Sequence, residues 1–578
     1  MKIKIITYSF IAFSLLSLNL LFISCSKVEK LEEKEKKPNI ILIVLDDAGY
    51  SDLGPFGSEI NTPSIDKLAS EGVMFSQFNV TPNCSSTRAS LLTGMDHHRT
   101  GMGSHVVVTE NQKGKPGYEG FLNHRVTTMA EVLQDGGYYT MMAGKWHLGN
   151  KQANTWPSGR GFERSFVLLN GGASHWDNTP LFPNKPGTYI NDGKPVQEFP
   201  KIFYSSDFYT EKIINYIEQG ENKKPFFAYL SFTAPHNPLH APDELIKKYQ
   251  DQYKDGWDQL QLRRLEQLKS IGLIDPQIAP QVRPEWIPAW DDLNQKEKDN
   301  ASRDMAVYAA MIDRLDHNIW LLVQKLKELK AYDNTMILVF SDNGPSKTTM
   351  EDYLNLAGAD MSFMDTFDNS LENRGLQNSN IDIGPGWAYG IAAPFRLMKG
   401  YQSQGGVMSP LIIKPPKQWN QSTSHIKKPV HIMDIMPTVL DAANVDHPAD
   451  ELSAEKTLTS NNEVELLAMQ GKSMVQLIKG EKSIDFDERG FGSELFGIRA
   501  YRKGNWKILK LPEPYGSGKW QLYNLESDPG ESKDLAEIHS DVLEELAKEW
   551  RVYVEINGVV EPDKPSLYSL PPKKSKVH

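Results

Sequence analysis

The chain has 578 residues with 63 Lys and Arg against 74 Asp and Glu, so its formal net charge is −11 at pH 7. Hydrophobic residues at 39%, aromatic residues at 10%, 42 Gly and 35 Pro are ordinary for a globular protein and exclude collagen-like, coiled-coil and wholly disordered chains. This length predicts roughly two or three domains with large cores, and the acidic balance argues against nucleic acid as a partner.

The N-terminus has the features of an export signal. Two lysines precede an uncharged stretch over residues 5–26, and residues 21–25 (LFISC) resemble the lipobox of a bacterial lipoprotein. We therefore expect a signal peptide over 1–24 and attachment to the membrane through a lipid anchor at Cys25. An uncleaved signal anchor is the alternative, because the stretch is long enough to span a bilayer. Both interpretations predict an exported protein, in the periplasm or on the outer membrane or cell surface.

The body of the protein follows a short polar segment. Residues 25–37 are rich in Lys and Glu, which predicts a solvated tether. From Pro38 onward, short β-rich runs alternate with helical patterns, which predicts an α/β domain over 38–475 with a large central sheet flanked by helices. The pattern then changes to short strands and one helix, which predicts a smaller C-terminal α+β domain over 476–578.

The predicted elements follow one another along the chain with recognisable start signals. Thr128 and Glu131, for example, form a capping box at the start of one helix. In chain order, we expect a strand over 39–45, a helix from Pro63, the capped helix, strands over 138–143 and 225–232, a polar surface insertion over 243 to about 305, a long helix near 304–329, a strand over 335–340, C-terminal strands over 506–510 and 520–525, and a helix near 540–552.

Polar residues follow four of the predicted strands, at the point where each strand ends. In open α/β sheets, ligands bind beyond the carboxyl ends of the strands, so these residues could share one rim. Each of them alone could equally cap a helix or stabilise a loop. The residues are Asp46 and Asp47, then Lys145 and His147, then His236, then Asp342 and Asn343.

The acidic members of this group predict a metal site. Asp46, Asp47, Asp342 and Asn343 offer only oxygen donors, which suit a hard cation such as Ca²⁺ or Mg²⁺ better than Zn²⁺. Adjacent like charges at a strand end would repel each other unless a cation neutralised them. The pair His97 and His98 lacks a metal-binding spacing, and we interpret it as part of a loop.

The remaining members of this group, Lys145, His147 and His236, are suited to binding an anion and transferring a proton. Lys145 and His147 lie two residues apart, so on an extended chain both project from one face toward the same ligand. His236 lies between two prolines that stiffen its loop, and a general acid or base must be held in position in this way. A histidine that only bonds to the backbone is the alternative for His236.

Cys84 is the second of two cysteines. If Cys25 is acylated, Cys84 is alone in an exported protein and has no disulfide partner within the chain. A helix begins near it, and a helix N-terminus favours an anion. Arg88 returns to the same helix face one turn later and can brace whatever Cys84 becomes. As a plain thiolate nucleophile, Cys84 lacks a partner nearby in the sequence, although histidines elsewhere in the chain could reach it.

Two segments resemble the signatures of type I, formylglycine-dependent sulfatases, and in particular of bacterial arylsulfatases. They are residues 84–94 (CSSTRASLLTG) and 144–149 (GKWHLG). The resemblance covers about residues 38–450 and implies a large mixed sheet of the alkaline-phosphatase type, with an antiparallel sheet in the C-terminal domain. It also implies hydrolysis of sulfate monoesters, with release of inorganic sulfate and an alcohol or phenol.

The resemblance further implies a cofactor, a modification and residue roles. A separate maturation enzyme would convert Cys84 to 3-oxoalanine (formylglycine), whose hydrate supplies the nucleophile. Arg88 would stabilise the hydrate, His147 would take the proton of its second hydroxyl, and His236 would assist the leaving alcohol. Lys145 and Lys399 would hold sulfate oxygens. Ca²⁺ would be bound by Asp46, Asp47, Cys84 in its modified form, Asp342 and Asn343.

Two alternatives to this function stay open. A phosphonate or phosphodiester hydrolase is one, because related proteins use the same fold and formylglycine centre on phosphorus esters. The other follows from Ser86, which stands where the family usually has Pro. If that change leaves Cys84 unmodified, the protein would be a catalytically silent lipoprotein that binds sulfated glycans. The expected substrate is otherwise a sulfated small molecule or glycan.

Overall fold

The computed structural model describes residues 36–104, 108–183, 187–220, 224–419, 421, 423–449, 466–481, 486–564 and 568. The predicted signal peptide, the anchor at Cys25 and most of the predicted tether lie outside these residues. Among the helices that are described, none is both long and apolar enough to cross a bilayer. The chain from Pro38 onward forms one compact unit, and the predicted domain boundary at 475/476 stays a prediction.

The described residues form strands and helices that alternate along most of the chain. The strands are β1 (Asn39–Leu45), β2 (Val73–Asn79), β3 (Tyr139–Lys145), β4 (Arg164–Leu168), β5 (Tyr189–Asn191), β6 (Lys194–Pro195), β7 (Phe226–Ser231), β8 (Thr335–Ser341), β9 (Met408–Lys414), β10 (His425–Ile426), β11 (Val430–His431), β12 (Gly490–Leu495), β13 (Ile498–Lys503), β14 (Trp506–Lys510) and β15 (Gln521–Asn524). The helices are α1 (Pro63–Ser70), α2 (Cys84–Thr93), α3 (Met129–Asp135), α4 (Ser205–Gln219), α5 (Asp243–Tyr249), α6 (Gly256–Ser270), α7 (Gln295–Glu328), α8 (Met350–Ala357), α9 (Gly384–Ile391), α10 (Gln404–Val407), α11 (Ile435–Ala443), α12 (Val475–Ile478) and α13 (Ser540–Asn557).

The strands β1 to β11 form one large mixed sheet. Its order is β10-β2-β9-β8-β1-β7-β3-β4-β5-β6, and β11 also pairs with β2. The central strands β8, β1, β7, β3 and β4 are mutually parallel. β9 runs antiparallel to both of its neighbours, β8 and β2. The fold prediction of a large mixed sheet flanked by helices is therefore confirmed.

Alternating residues of the central strands bury the two faces of this sheet. On β1, Ile41 and Ile43 belong to a core that includes α1, α4 and α7, whereas Ile40 and Leu42 belong to a core that includes α2, α3 and α11. Side chains that point to opposite faces at every second residue require helices on both sides. The continuous apolar run of β1 follows from this double burial.

The segment from 243 to 305 is not a surface insertion, so that prediction is wrong. Trp257 and Trp290 are nearly fully buried and pack edge to face at 4.9 Å between ring centroids. Trp257 also packs on Trp387 of α9 at 5.6 Å. The helix that we expected near residue 304 begins at Gln295, where Asn294 and Glu297 form its capping box. The first turns of this helix are polar and lack apolar periodicity, so the capping box is the sequence signal that could have marked its start.

The C-terminal region forms a second, smaller sheet, as predicted. β12 to β15 are antiparallel neighbours in sequence order. The helix α13 packs on this sheet through Leu546 and Trp550, which meet Ile508 and Leu522. The apolar side of this predicted helix is therefore the contact that holds it to the sheet.

His98 lies in the turn that follows α2 and connects this turn to β12 of the C-terminal sheet. It is buried, its Nδ1 lies 2.7 Å from Asp96 Oδ1, and its Nε2 lies 3.1 Å from Glu494 Oε2 on β12. The Tyr553 hydroxyl of α13 donates to the other Asp96 oxygen at 2.9 Å. His97 and His98 do lie in a turn outside the helices and strands, as predicted, but no local sequence pattern reveals that His98 meets a carboxylate almost 400 residues away.

Candidate active site

The four strands that end in polar residues are neighbours in the sheet. They lie in the order β8-β1-β7-β3 and all run parallel, so their carboxyl ends meet at one edge. The structure therefore brings Asp46, Asp47, Lys145, His236 and Asp342 together, as the rim argument predicts. Asn343 follows directly on Asp342, and His147 lies two residues after Lys145, at the same edge.

Cys84 and Lys399 reach this edge by a different route. Because β2 and β8 are both antiparallel to β9, the carboxyl end of β2 lies at the same edge, and α2 with Cys84 follows it. Lys399 precedes β9, whose amino end faces this edge for the same reason. All of the sequence-predicted site residues thus lie at one place in the fold.

Buried ion pairs connect the cationic and anionic residues. Lys145 Nζ lies 2.6 Å from Asp46 Oδ2, and Lys399 Nζ donates to both oxygens of Asp47 at 2.6 and 2.9 Å. Arg88 contacts Asp342 Oδ2 with Nε at 2.9 Å and with a terminal nitrogen at 2.7 Å. Arg88 therefore braces a carboxylate of the cluster from beneath.

Two oxygens of the acidic cluster are left without a hydrogen-bond partner. Asp46 Oδ1 and Asn343 Oδ1 are both buried and unsatisfied among the described residues. One ligand atom from each of Asp46, Cys84 and Asp342 lies within 4.8 Å of the others. Buried polar atoms normally have partners, and carboxylate and amide oxygens are the ligands of hard cations. The donor set and the unpartnered oxygens thus fit a divalent cation such as Ca²⁺.

The two adjacent aspartates have opposite pKa shifts. Burial raises the pKa of Asp46 to about 7, and the Lys145 ammonium offsets only part of that effect. Burial also acts on Asp47, but Lys399 and His236 outweigh it and lower the pKa of Asp47 to about 2. Asp46 is thus the carboxylate that most needs a further positive charge in order to stay ionised.

Cys84 is the first residue of α2 and is buried. The Asn83 side chain caps this helix by accepting from the Ser85 amide at 3.3 Å. The Cys84 Sγ lies 3.2 Å from His147 Nδ1. Burial raises the pKa of the Cys84 thiol, although Lys145 and Lys399 act in the opposite direction. An unmodified Cys84 is therefore a neutral thiol at neutral pH, which does not suit a direct thiolate nucleophile.

Ser86 has a structural role in this turn. Its hydroxyl donates to the Asn83 carbonyl at 2.9 Å and lies 2.6 Å from Thr81 Oγ1. A proline at this position would lack both contacts. The folded structure thus accommodates the departure from the family pattern and keeps Cys84 at the start of the helix.

His236 faces the cluster from the end of β7. Its Nδ1 lies 2.6 Å from the Asn237 carbonyl, and its Nε2 lies 3.6 Å from Asp47 Oδ2 and 3.5 Å from the Tyr353 hydroxyl. Burial lowers the pKa of His236 well below its ordinary value, and the Asp47 carboxylate opposes that shift. The Nε2 atom is the one directed toward the reacting groups.

A cavity of about 320 Å³ opens above Cys84. His147, His236 and Lys399 line it together with apolar and aromatic side chains. The sequence analysis did not identify four aromatic residues of this lining, which are Phe182, Tyr353, Phe496 and Tyr568. No local motif marks them, because they come from distant segments and meet only in the folded chain.

Comparisons with known proteins agree with this geometry. The family model Sulfatase matches residues 38–445. An uncharacterized sulfatase of Schizosaccharomyces pombe is 41% identical over 541 residues, covering 92% of this chain and 95% of its own. An arylsulfatase of Klebsiella aerogenes is 37% identical over 425 residues, covering 72% of this chain and 88% of its own.

The solved structures extend the likeness to the whole fold. The crystal structure of Ps i-CgsB is 25% identical and superposes with a TM-score of 0.61 over 91% of this chain and 94% of its own. A second structure of Ps i-CgsB contains k-i-k-neocarrahexaose. The family match and the similar relatives, together with the cluster of polar residues at the strand ends, show that the chain belongs to the sulfatase family and is a sulfuric ester hydrolase.

Proposed function

We propose that the protein hydrolyses sulfate monoesters through a formylglycine hydrate derived from Cys84 beside a bound Ca²⁺. The observation that carries this proposal is the meeting of Cys84 with three carboxylates, two unpartnered oxygens and two lysines at one sheet edge. A sulfate ester develops negative charge on its oxygens during displacement, and preorganised cations stabilise that charge.

The proposed Ca²⁺ would be held by Asp46, Asp47, Asp342, Asn343 and the modified Cys84 side chain. When bound, it supplies Lewis-acid stabilisation of the sulfate group and of the nucleophilic oxygen. It would also neutralise the carboxylates with which Lys145 and Lys399 pair. Both ammonium groups could then turn toward sulfate oxygens, as anion binding requires.

The modified Cys84 side chain would supply a hydroxyl that attacks sulfur and a second hydroxyl whose deprotonation expels sulfate as the aldehyde forms again. His147 is placed for this second step, because its Nδ1 lies 3.2 Å from Cys84 Sγ. The Nε2 atom of His236 lies 3.6 Å from Asp47 Oδ2. Burial favours the neutral ring, and the negative charge of a bound sulfate ester would favour the protonated ring that gives its proton to the leaving alcohol. Arg88 holds Asp342 in place throughout.

Mass spectrometry of the peptide that ends at Arg88 tests the modification. In protein matured by its native host, we expect an aldehyde in place of the Cys84 thiol, together with turnover of an aryl sulfate. An unmodified thiol in inactive protein would support the silent glycan-binding alternative. A matched comparison with an aryl phosphonate tests the reaction class, because faster turnover of the phosphonate would support the phosphonate hydrolase.

We also propose that the protein is exported and attached to a membrane through Cys25, with a formylglycine-generating enzyme as its maturation partner. The support for the anchor is the lipobox-like segment 21–25. Fractionation of cells that express the wild type or Cys25→Ser tests this proposal. We expect the wild type in the membrane fraction and Cys25→Ser released from it, whereas equal membrane attachment would favour an uncleaved signal anchor.

A further inference from the structure

The cavity above Cys84 has two aromatic pairs in its walls. Phe182 and Tyr353 meet edge to face with 5.7 Å between ring centroids, and Phe496 stacks on Tyr568 at 5.2 Å with 24° between the rings. All four residues line the cavity that also contains Cys84, His147 and Lys399. We refer to Phe182, Tyr353, Phe496 and Tyr568 as the aromatic wall.

Phe496 reaches the cavity from the tip of a hairpin in the C-terminal sheet. It lies with Gly497 between β12 and β13, and both residues have positive φ, 59° and 83°. A two-residue hairpin of this kind normally has small or polar residues at its first position. A bulky side chain in this conformation is strained, and such outliers cluster at ligand sites. The ring is nevertheless buried, with 6% exposure, against Tyr568.

Tyr568 comes from the C-terminal end of the chain, where it is the one described residue beyond Lys564. Its ring lies directly over Gly400, next to Lys399, and a Cβ atom at Gly400 would overlap that ring. Its hydroxyl lies 3.5 Å from Thr348 Oγ1. The loop that contains Lys399 and Gly400 thus packs closely against Tyr568.

Few of the described residues that line the cavity are charged, apart from those at the reacting centre. Among the described residues that line it, only Lys399, His147 and His236 carry or can carry a positive charge, and none is acidic. Lys399 is already paired with Asp47. A polysulfated glycan would bring further anionic groups, and those that enter the cavity would be desolvated without a cationic partner among these residues. The volume of about 320 Å³ is at the small end of ligand cavities.

We propose that the aromatic wall binds the organic part of the substrate and selects monosulfate esters of compact, uncharged, largely apolar alcohols or phenols over polysulfated glycans. Phe496 and Tyr568 are then specificity-determining residues that the C-terminal region contributes to the α/β site. This inference rests on the proposed function, since it assigns the leaving group of the same reaction.

The test compares the matured wild type with Tyr568→Ala and Phe496→Ala on three esters. The esters are 4-nitrophenyl sulfate, N-acetylglucosamine 6-sulfate and a disulfated disaccharide. For 4-nitrophenyl sulfate, we expect either alanine variant to raise KM about tenfold through loss of ring contacts, while kcat changes little. The inhibition constant of inorganic sulfate should stay within about twofold, because sulfate alone does not reach the wall.

Two further variants separate a role in binding from a general structural effect. Tyr568→Phe keeps the ring, and we expect its KM for 4-nitrophenyl sulfate to stay close to that of the wild type. Trp320→Ala removes an exposed aromatic side chain of α7 that does not line the cavity, and we expect wild-type constants. If Tyr568→Ala fails to fold, Phe496→Ala with the same substrates decides the question.

The outcomes distinguish this inference from the function on which it rests. A wild type that prefers the disulfated disaccharide by kcat/KM would overturn the inference and leave sulfate ester hydrolysis intact. Alanine variants that weaken all three esters and inorganic sulfate equally would also overturn it. Matured enzyme that turns over none of the esters would overturn the proposed function itself.

Discussion

The buried contacts of His98 with Asp96 and Glu494 stabilise the protein, and this stabilisation is lost at alkaline pH. Burial by itself lowers the pKa of His98, but the carboxylates of Asp96 and Glu494 on its two ring nitrogens outweigh that effect and raise the pKa from 6.5 to about 9. The protonated ring therefore stabilises the fold fully below about pH 6.5, and this contribution is lost as the pH rises through about 9. The magnitude is about 3 kcal/mol.

Thermal unfolding of the wild type and His98→Gln across pH 6 to 10 measures this contribution. For a chain of this length, about 3 kcal/mol corresponds to a change in Tm of roughly 2 to 3 °C. We expect the wild type to exceed His98→Gln most at pH 6, and the difference to shrink by that amount by pH 10. The difference between the two proteins isolates His98 from groups that titrate in both.

Two variants control this experiment. Glu494→Gln removes one of the two anionic partners, so the stabilisation should disappear at a lower pH than in the wild type. His317→Gln changes an exposed histidine of α7 and should leave the pH profile of Tm unchanged. If the difference in Tm between the wild type and His98→Gln stays constant from pH 6 to 10, His98 is not charged in the folded protein. A neutral His98 would add no pH dependence to this difference.

Three predictions concern catalysis. Cys84→Ser should keep the fold but lower steady-state turnover below about 1% of wild type, because a single hydroxyl has no second group whose deprotonation expels sulfate; sustained turnover in a steady-state assay would contradict this. A chelator should lower both activity and Tm, Ca²⁺ should restore them, and Asn343→Leu should need about tenfold more Ca²⁺ for the same Tm gain, as titration in a thermal-shift assay would show. His236→Ala should lower kcat/KM about a hundredfold for an alkyl sulfate and much less for 4-nitrophenyl sulfate, whose leaving group needs no proton; equal losses on both esters would argue against His236 as the proton donor.

Much of the fold and most of the cluster could be predicted from local patterns in the sequence. The strand over 39–45 and the capping box of Thr128 and Glu131 appear in the structure as expected. These features depend on neighbouring residues, because apolar runs and caps act within one strand or one helical turn. The same locality explains the success with Asp46 and Asp342, each of which follows directly on its own strand.

The adjacency of these strands was decided by the tertiary structure. The sequence predicted that the polar residues follow strands, but only the order β8-β1-β7-β3 places them side by side. The antiparallel direction of β9 brings Lys399 to the edge that the parallel strands share. Which strands pair depends on how the whole chain buries its apolar faces, and no short window of residues contains that information.

The sequence by itself thus determined the chemical character of this protein: an acidic, α/β chain with a cysteine, oxygen donors and cationic residues placed at element ends. The tertiary structure alone decided the surroundings of that chemistry. It buried His98 between two carboxylates, and it brought Phe496 and Tyr568 from the C-terminal region to the cavity above Cys84. The contact of His98 with Glu494 and the approach of Phe496 and Tyr568 to Cys84 join residues hundreds of positions apart, and they form only when the folded chain excludes water from between them.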